Sequence, residues 1–155
     1  VQERRSFSPA VDALQAITRD LLGLAVRSVD EVSEVTVPQM RLLFAVHDHG
    51  QASCTELAHA LGLNGSSVTR LADKLTVSGH LVRTGAQDSR SKVVLELTQR
   101  GHEVIDAVLA WRSRELTRVL HHLDADALRS LTASLDLLHD GLRRRHHDLT
   151  GPVPL

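Results

Sequence analysis

Ser66, Ser67, Thr69, Arg70 and Lys74 fall within nine residues of one another. Their chemistry suits holding a polyanion rather than turning over a substrate. Small hydroxyl residues at a helix start let backbone N–H groups approach phosphate, aided by the helix dipole. A long cation such as Arg70 reaches a base edge or a phosphate in the major groove of a duplex. A second polar cluster, Asp88, Arg90 and Lys92, follows fourteen residues after Lys74. Arg90 falls near the tip of a predicted hairpin, where it would enter the adjacent minor groove, and Lys92 adds a further cation. Asp88 is repelled by phosphate, so its expected role is to orient an arginine.

The charge distribution agrees with this reading. The chain has 155 residues and a formal net charge of -1. Residues 64–100 hold six cationic and three acidic groups, a net +3, whereas residues 1–63 and 101–142 each carry -3. A positive block between two acidic ones is the footprint of a local polyanion-binding surface. Aromatic residues are 2% of the chain and tyrosine is absent, which argues against a stacking platform for single strands. No Gly-rich phosphate loop, nucleophile elbow or metal-ligand spacing is present, so an enzyme is not expected. Neither a cofactor nor a metal site is expected. The ten histidines include no pair three or four residues apart, the spacing that puts two ligands on one helix face. The single cysteine, Cys54, excludes an intrachain disulfide and points to a reduced, cytoplasmic compartment. A helix N-terminus at Cys54 would favour its thiolate, so a redox role stays open as an alternative. No apolar run approaches the roughly 20 residues of a membrane span, and no signal peptide is expected.

The elements that must position these residues are mostly helical. Ser8-Pro9 offers a cap and a first-turn proline, and Val11, Leu14, Ile17, Leu21 and Ala25 follow at helical spacing. Thr36 with Gln39, and Ser53 with Glu56, each spell a capping box; Gly50 and Gly62 close the two helices these open. Asn64 caps the next helix, which buries Val68, Leu71, Ala72 and Leu75 and ends near Ser78-Gly79. The period then changes. His80–Arg83 and Lys92–Leu97 read as two strands, with a polar turn from Gly85 to Ser91. Thr98 and Asp124 cap two final helices. In the last one Leu128, Leu131, Leu135, Leu138 and Leu142 alternate three and four apart, a heptad-like seam. The segment Arg143–His147 reads as a fraying end.

Two short helices, a glycine turn and a hairpin together describe a winged helix-turn-helix. Residues 36–101 resemble the MarR (multiple antibiotic resistance regulator) family of winged-helix transcription factors. The resemblance rests on Thr36-x-x-Gln39-x-x-Leu42-Leu43 and Thr55-Glu56-Leu57-Ala58-x-x-Leu61-Gly62-Leu63. It continues through Ser67-Val68-Thr69-Arg70-Leu71-x-Asp73-Lys74-Leu75 with Gly79, Leu81-Val82-Arg83 and Asp88-x-Arg90. It closes on Val93-x-Leu95-x-Leu97-Thr98-x-x-Gly101. Many members carry two basic residues after the wing aspartate; here the second is absent, which predicts weaker wing affinity.

The resemblance implies a mainly α fold with a β-hairpin wing, flanked by N- and C-terminal dimerisation helices. In domain terms, 1–35 is the first dimerisation helix, 36–100 the DNA-binding unit, 101–145 the later dimerisation helices and 146–155 a flexible tail. It implies a homodimer held through Leu14, Ile17, Leu21 and the leucine seam. It also implies a pseudo-palindromic DNA operator, repression, and release by a small, often anionic aromatic effector. Arg41 and Trp111 are placed near the family's effector cleft. Zinc-responsive relatives have histidine where this chain has Arg41, and metal sensing is kept only as an alternative. The rival from another class is a winged helix used as a protein-interaction module; a neutral recognition helix and wing would mark it.

Overall fold

The computed structural model describes residues 7–86 and 89–148. Six helices and one hairpin follow in order: α1 (Ser8–Val32), α2 (Val37–His49), α3 (Cys54–Leu61), α4 (Gly65–Val77), β1 (Leu81–Ala86), β2 (Ser89–Leu97), α5 (Gln99–Leu120) and α6 (Ala125–Asp148). The capping residues explain most of these boundaries. The backbone N–H of Thr36 donates to Gln39 Oε1 at 2.8 Å, and that of Ser53 donates to Glu56 Oε2 at 2.8 Å. Both capping boxes are therefore formed as the sequence spells them. Asp124 Oδ1 accepts from the Ala127 N–H at 2.8 Å and starts α6.

The boundaries of α1, of the hairpin strands and of α6 differ from the sequence reading. The cap of α1 is Phe7, not Ser8, and Ser8 is already helical. Proline's fixed φ suits any first-turn position, so Pro9 does not fix the cap to one residue. The strands also run further than expected, covering Gly85 and Ala86 on one side and Ser89 to Ser91 on the other. In a projecting two-stranded ribbon the backbone ladder continues whether or not its side chains are apolar, so polarity does not mark its end. His80 is not in the strand; it precedes it. Finally, α6 continues through Arg143–His147 to Asp148, because no Gly or Pro interrupts that segment.

The core lies under the winged unit. Met40, Leu43 and Val46 of α2, Leu57 of α3 and Val68, Ala72 and Leu75 of α4 are fully enclosed, joined by Leu81 and Leu95 of the hairpin. Val29 of α1 and Ile105 and Val108 of α5 seal the far side. The hairpin is antiparallel, pairing Leu81 with Leu97 and Thr84 with Val94, with an irregularity between Gly85 and Ala86. The first half of α1 and all of α6 lie outside this core. Leu14, Ile17 and Leu21 are 40%, 47% and 44% exposed. Leu135 and Leu142 are about half exposed, while Leu128, Leu131 and Leu138 are partly covered.

Candidate nucleic-acid interface

The outer side of α4 is built from its own cap. Asn64 Oδ1 accepts from the Ser67 N–H at 2.8 Å and from the Ser66 hydroxyl at 2.9 Å. The Thr69 hydroxyl donates to Gly65 O at 2.9 Å. A hydroxyl keeps acceptor lone pairs and rotates readily, so both residues remain able to meet a polar partner. Because Val68, Ala72 and Leu75 anchor the opposite face, Ser66, Thr69, Arg70, Asp73 and Lys74 are all exposed. Ser67 is half-buried, with its N–H taken by the cap. Arg70 and Lys74 pair with no described carboxylate and border a shallow cleft with Pro38, Leu63, Ser67 and Leu71.

A reverse turn then aims the hairpin. Gly79 has φ +77°, a left-handed conformation that other side chains rarely adopt. The N–H of Gly79 donates to Thr76 O at 3.1 Å and that of His80 to Leu75 O at 2.8 Å, a Schellman closure of α4. His80 is buried, and its Nδ1 lies 2.8 Å from the Ser78 hydroxyl. Burial first, and Arg100 second, push its pKa below the ordinary histidine value, against a smaller upward pull from Glu34. Asp73 on α4 holds Arg83 on β1 in an ion pair of 2.6 Å. Both side chains are about half exposed, so the pair adds little stability. It joins the outer face of α4 to the first strand of the hairpin. Arg90 and Lys92 lie on β2, but their side chains are outside the described set, and Asp88 lies outside the described residues.

The remaining candidates are dispersed. Arg41 donates to Leu61 O at 3.5 Å, over the last turn of α3, and its Nε is buried without a partner. Trp111 is half-buried on α5. Neither Arg41 nor Trp111 lines the α4 cleft. Cys54, a free thiol, opens α3 and is half-buried.

Sequence reading missed three arrangements. Arg112 donates from Nε to Ser28 Oγ at 2.8 Å and lies 5.4 Å over the Phe44 ring, joining α5, α1 and α2. Burial lowers its pKa from the ordinary arginine value. The signal was present: Arg112 continues the buried spacing Gly101, Ile105, Val108. The Asp73–Arg83 pair links residues ten apart across a turn. The third arrangement is centred on Glu96, a lone carboxylate in the apolar strand Val93–Leu97.

The profile of the MarR family matches residues 33–91. The chain is 32% identical over 114 residues to the HTH-type transcriptional regulator YhbI of Bacillus subtilis, covering 72% of this chain and 74% of that protein. The chain belongs to the MarR family. A second relative, the HTH-type transcriptional repressor MdtR of Bacillus subtilis, is 28% identical over 75% of this chain and 74% of its own length. A MarR family protein from Bacillus stearothermophilus superposes with a TM-score of 0.81 at 22% identity, over 92% of this chain and 99% of that one. Its fold is the same winged helix-turn-helix. In MarR terms α3 and α4 form the helix-turn-helix, α4 occupies the position of the recognition helix, and β1–β2 are the wing. No helix of the described residues is long and apolar enough to cross a membrane.

Proposed function

We propose that the protein is a homodimeric transcriptional repressor that reads a pseudo-palindromic DNA operator. One observation carries the reading. The face of α4 turned away from the core presents Arg70 and Lys74, unpaired with any described carboxylate, inside the chain's net positive block. Ser66, Ser67 and Thr69 border that face, and Arg90 and Lys92 are the wing's cations. A neutral recognition helix, the mark of the interaction-module rival, is not what this sequence has. Dimerisation is supported by the exposed apolar stripe of α1 and by α6, which packs closely against no other described element. Repression follows the MdtR likeness.

Release would come from a small aromatic anion that prefers one spacing of the two recognition helices, the thermodynamic requirement for any such shift. Arg41, Trp111 and the desolvated Arg112 are the candidates around its site. Arg112 pairs with no described carboxylate.

A fluorescence anisotropy titration tests the reading, using the intergenic duplex beside the gene and a scrambled duplex at two salt concentrations. A preference of about 10³ or more for the intergenic duplex is expected. Arg70→Ala should weaken that complex by about 1–3 kcal/mol and narrow the preference. Equal, salt-sensitive binding to both duplexes would refute operator recognition at this locus.

A further inference from the structure

Besides the Asp73–Arg83 pair, the wing is tied to the rest of the winged unit at a second carboxylate, Glu96. Glu96 Oε1 accepts from the Thr84 hydroxyl at 2.5 Å, which bridges β2 to β1. The same oxygen accepts from Gln51 Nε2 at 2.5 Å, which bridges the wing to the loop between α2 and α3. One residue after Gln51 and one before Glu96, the Leu95 N–H donates to Ala52 O at 2.9 Å, extending the hairpin by a single bridge to that loop. Thr84 and Glu96 are diagonal neighbours on one face, because Thr84 opposes Val94 and Val82 opposes Glu96. These ties sit on the helix-turn-helix side of the irregularity at Gly85/Ala86, beyond which the strands carry Arg90.

We propose that Glu96 is a positioning residue for DNA binding: it sets the direction in which the wing delivers its cations, without touching DNA itself. The inference rests on the DNA-binding reading above. Electrostatics alone make the opposite forecast. An acidic group within a polyanion-binding unit repels phosphate, so its removal by itself should tighten binding. A positioning role reverses that sign, and the two effects are separable.

The test compares the full-length wild-type protein with Glu96→Ala, Glu96→Gln and Gln51→Ala. Anisotropy is read on the intergenic duplex and on a mixed-sequence duplex across a salt series. Glu96→Ala loses both bonds and should bind roughly tenfold more weakly, the scale of one hydrogen bond lost to a charged acceptor. Its salt slope should fall by about one phosphate contact as the wing disengages. Glu96→Gln keeps the acceptor oxygen and removes the charge, so it should recover wild-type affinity or exceed it. Gln51→Ala alters an exposed side chain and should weaken binding in the same direction with the fold intact by circular dichroism.

If Glu96→Ala binds as tightly as wild type, or more tightly, with an unchanged salt slope, the inference is overturned while the DNA-binding reading stands. The inference is likewise overturned if Glu96→Gln is as weak as Glu96→Ala. If the wild-type protein itself binds neither duplex, the DNA-binding reading fails and takes the inference with it.

Discussion

Individual side chains of this protein divide into those whose neighbours in sequence explain them and those whose neighbours in space do. Asn64 belongs to the first kind: a residue that caps well, three before Ser67, was readable as a cap and is one. His80 belongs to the second. Its sequence context suggests a strand residue, whereas its backbone closes α4 and its ring is buried beside Ser78. Burial, then Arg100, lower its pKa in the folded state, with Glu34 opposing. A histidine held neutral in this way binds more protons when unfolded. Its contribution to stability is therefore complete above the unfolded value near 6.5 and is lost as pH falls toward and through the lowered folded value. Urea unfolding at pH 7.5 and pH 5, at one fixed protein concentration, should show a larger acid loss for wild type than for His80→Asn. Equal losses would assign the acid sensitivity to other groups.

The helices after α1 were legible because each begins with a side chain that caps its first turn, and α2 and α3 end on a glycine. Capping boxes at Thr36 and Ser53 are local chemistry and need no tertiary knowledge. The hairpin was legible in existence but not in extent, since its outer ladder carries polar residues that look like a turn. The ties that orient it, Asp73 to Arg83 and Glu96 to Gln51, join segments ten and forty-five residues apart, and nothing in local spacing announces them. Gly101 shows what such packing demands of an element. A Cβ there would lie 2.3 Å from His80 O and 2.9 Å from Leu97 Cδ2. Alanine gains about 1 kcal/mol of helix propensity over glycine, but overpacking against a fixed carbonyl costs about 1–3 kcal/mol. Gly101→Ala should therefore be net destabilising in thermal unfolding. A raised midpoint would mean that the N-terminus of α5 gives way freely.

Taken entire, the chain has a filled core at one end and apolar helix faces at the other. Val11, Leu14, Ile17, Leu21 and Leu22 of α1 are each at least 40% exposed, as are Leu135, Leu137 and Leu142 of α6. An exposed apolar surface of that kind marks an interaction site. A second copy of the chain covers it in the reading proposed above, and the two-fold axis then sets the recognition helices about one DNA turn, roughly 34 Å, apart. Leu135→Asp should convert a dimer into a monomer in analytical ultracentrifugation and weaken operator binding with it. A dimer that persists would remove the α6 seam from the interface. This part of the reading was visible as a leucine repeat, although the repeat alone could not say that α6 would find so little of its own chain to pack against.

The backbone of His80 links these levels. Its N–H closes α4 on Leu75 O, its carbonyl receives the Thr98 N–H at 3.1 Å, and Gly101 rests against that same carbonyl. Recognition helix, wing and α5 thus share one point of the backbone. In evolutionary terms this divides the chain into segments that can and cannot change length. One residue gained between Val77 and Leu81, or between Leu97 and Gly101, would turn the recognition helix, wing and α5 relative to one another. A residue gained between Ala86 and Ser89 would disturb none of those bonds. Among descendants of this gene, insertions and deletions should gather at the far end of the hairpin and be purged from its base.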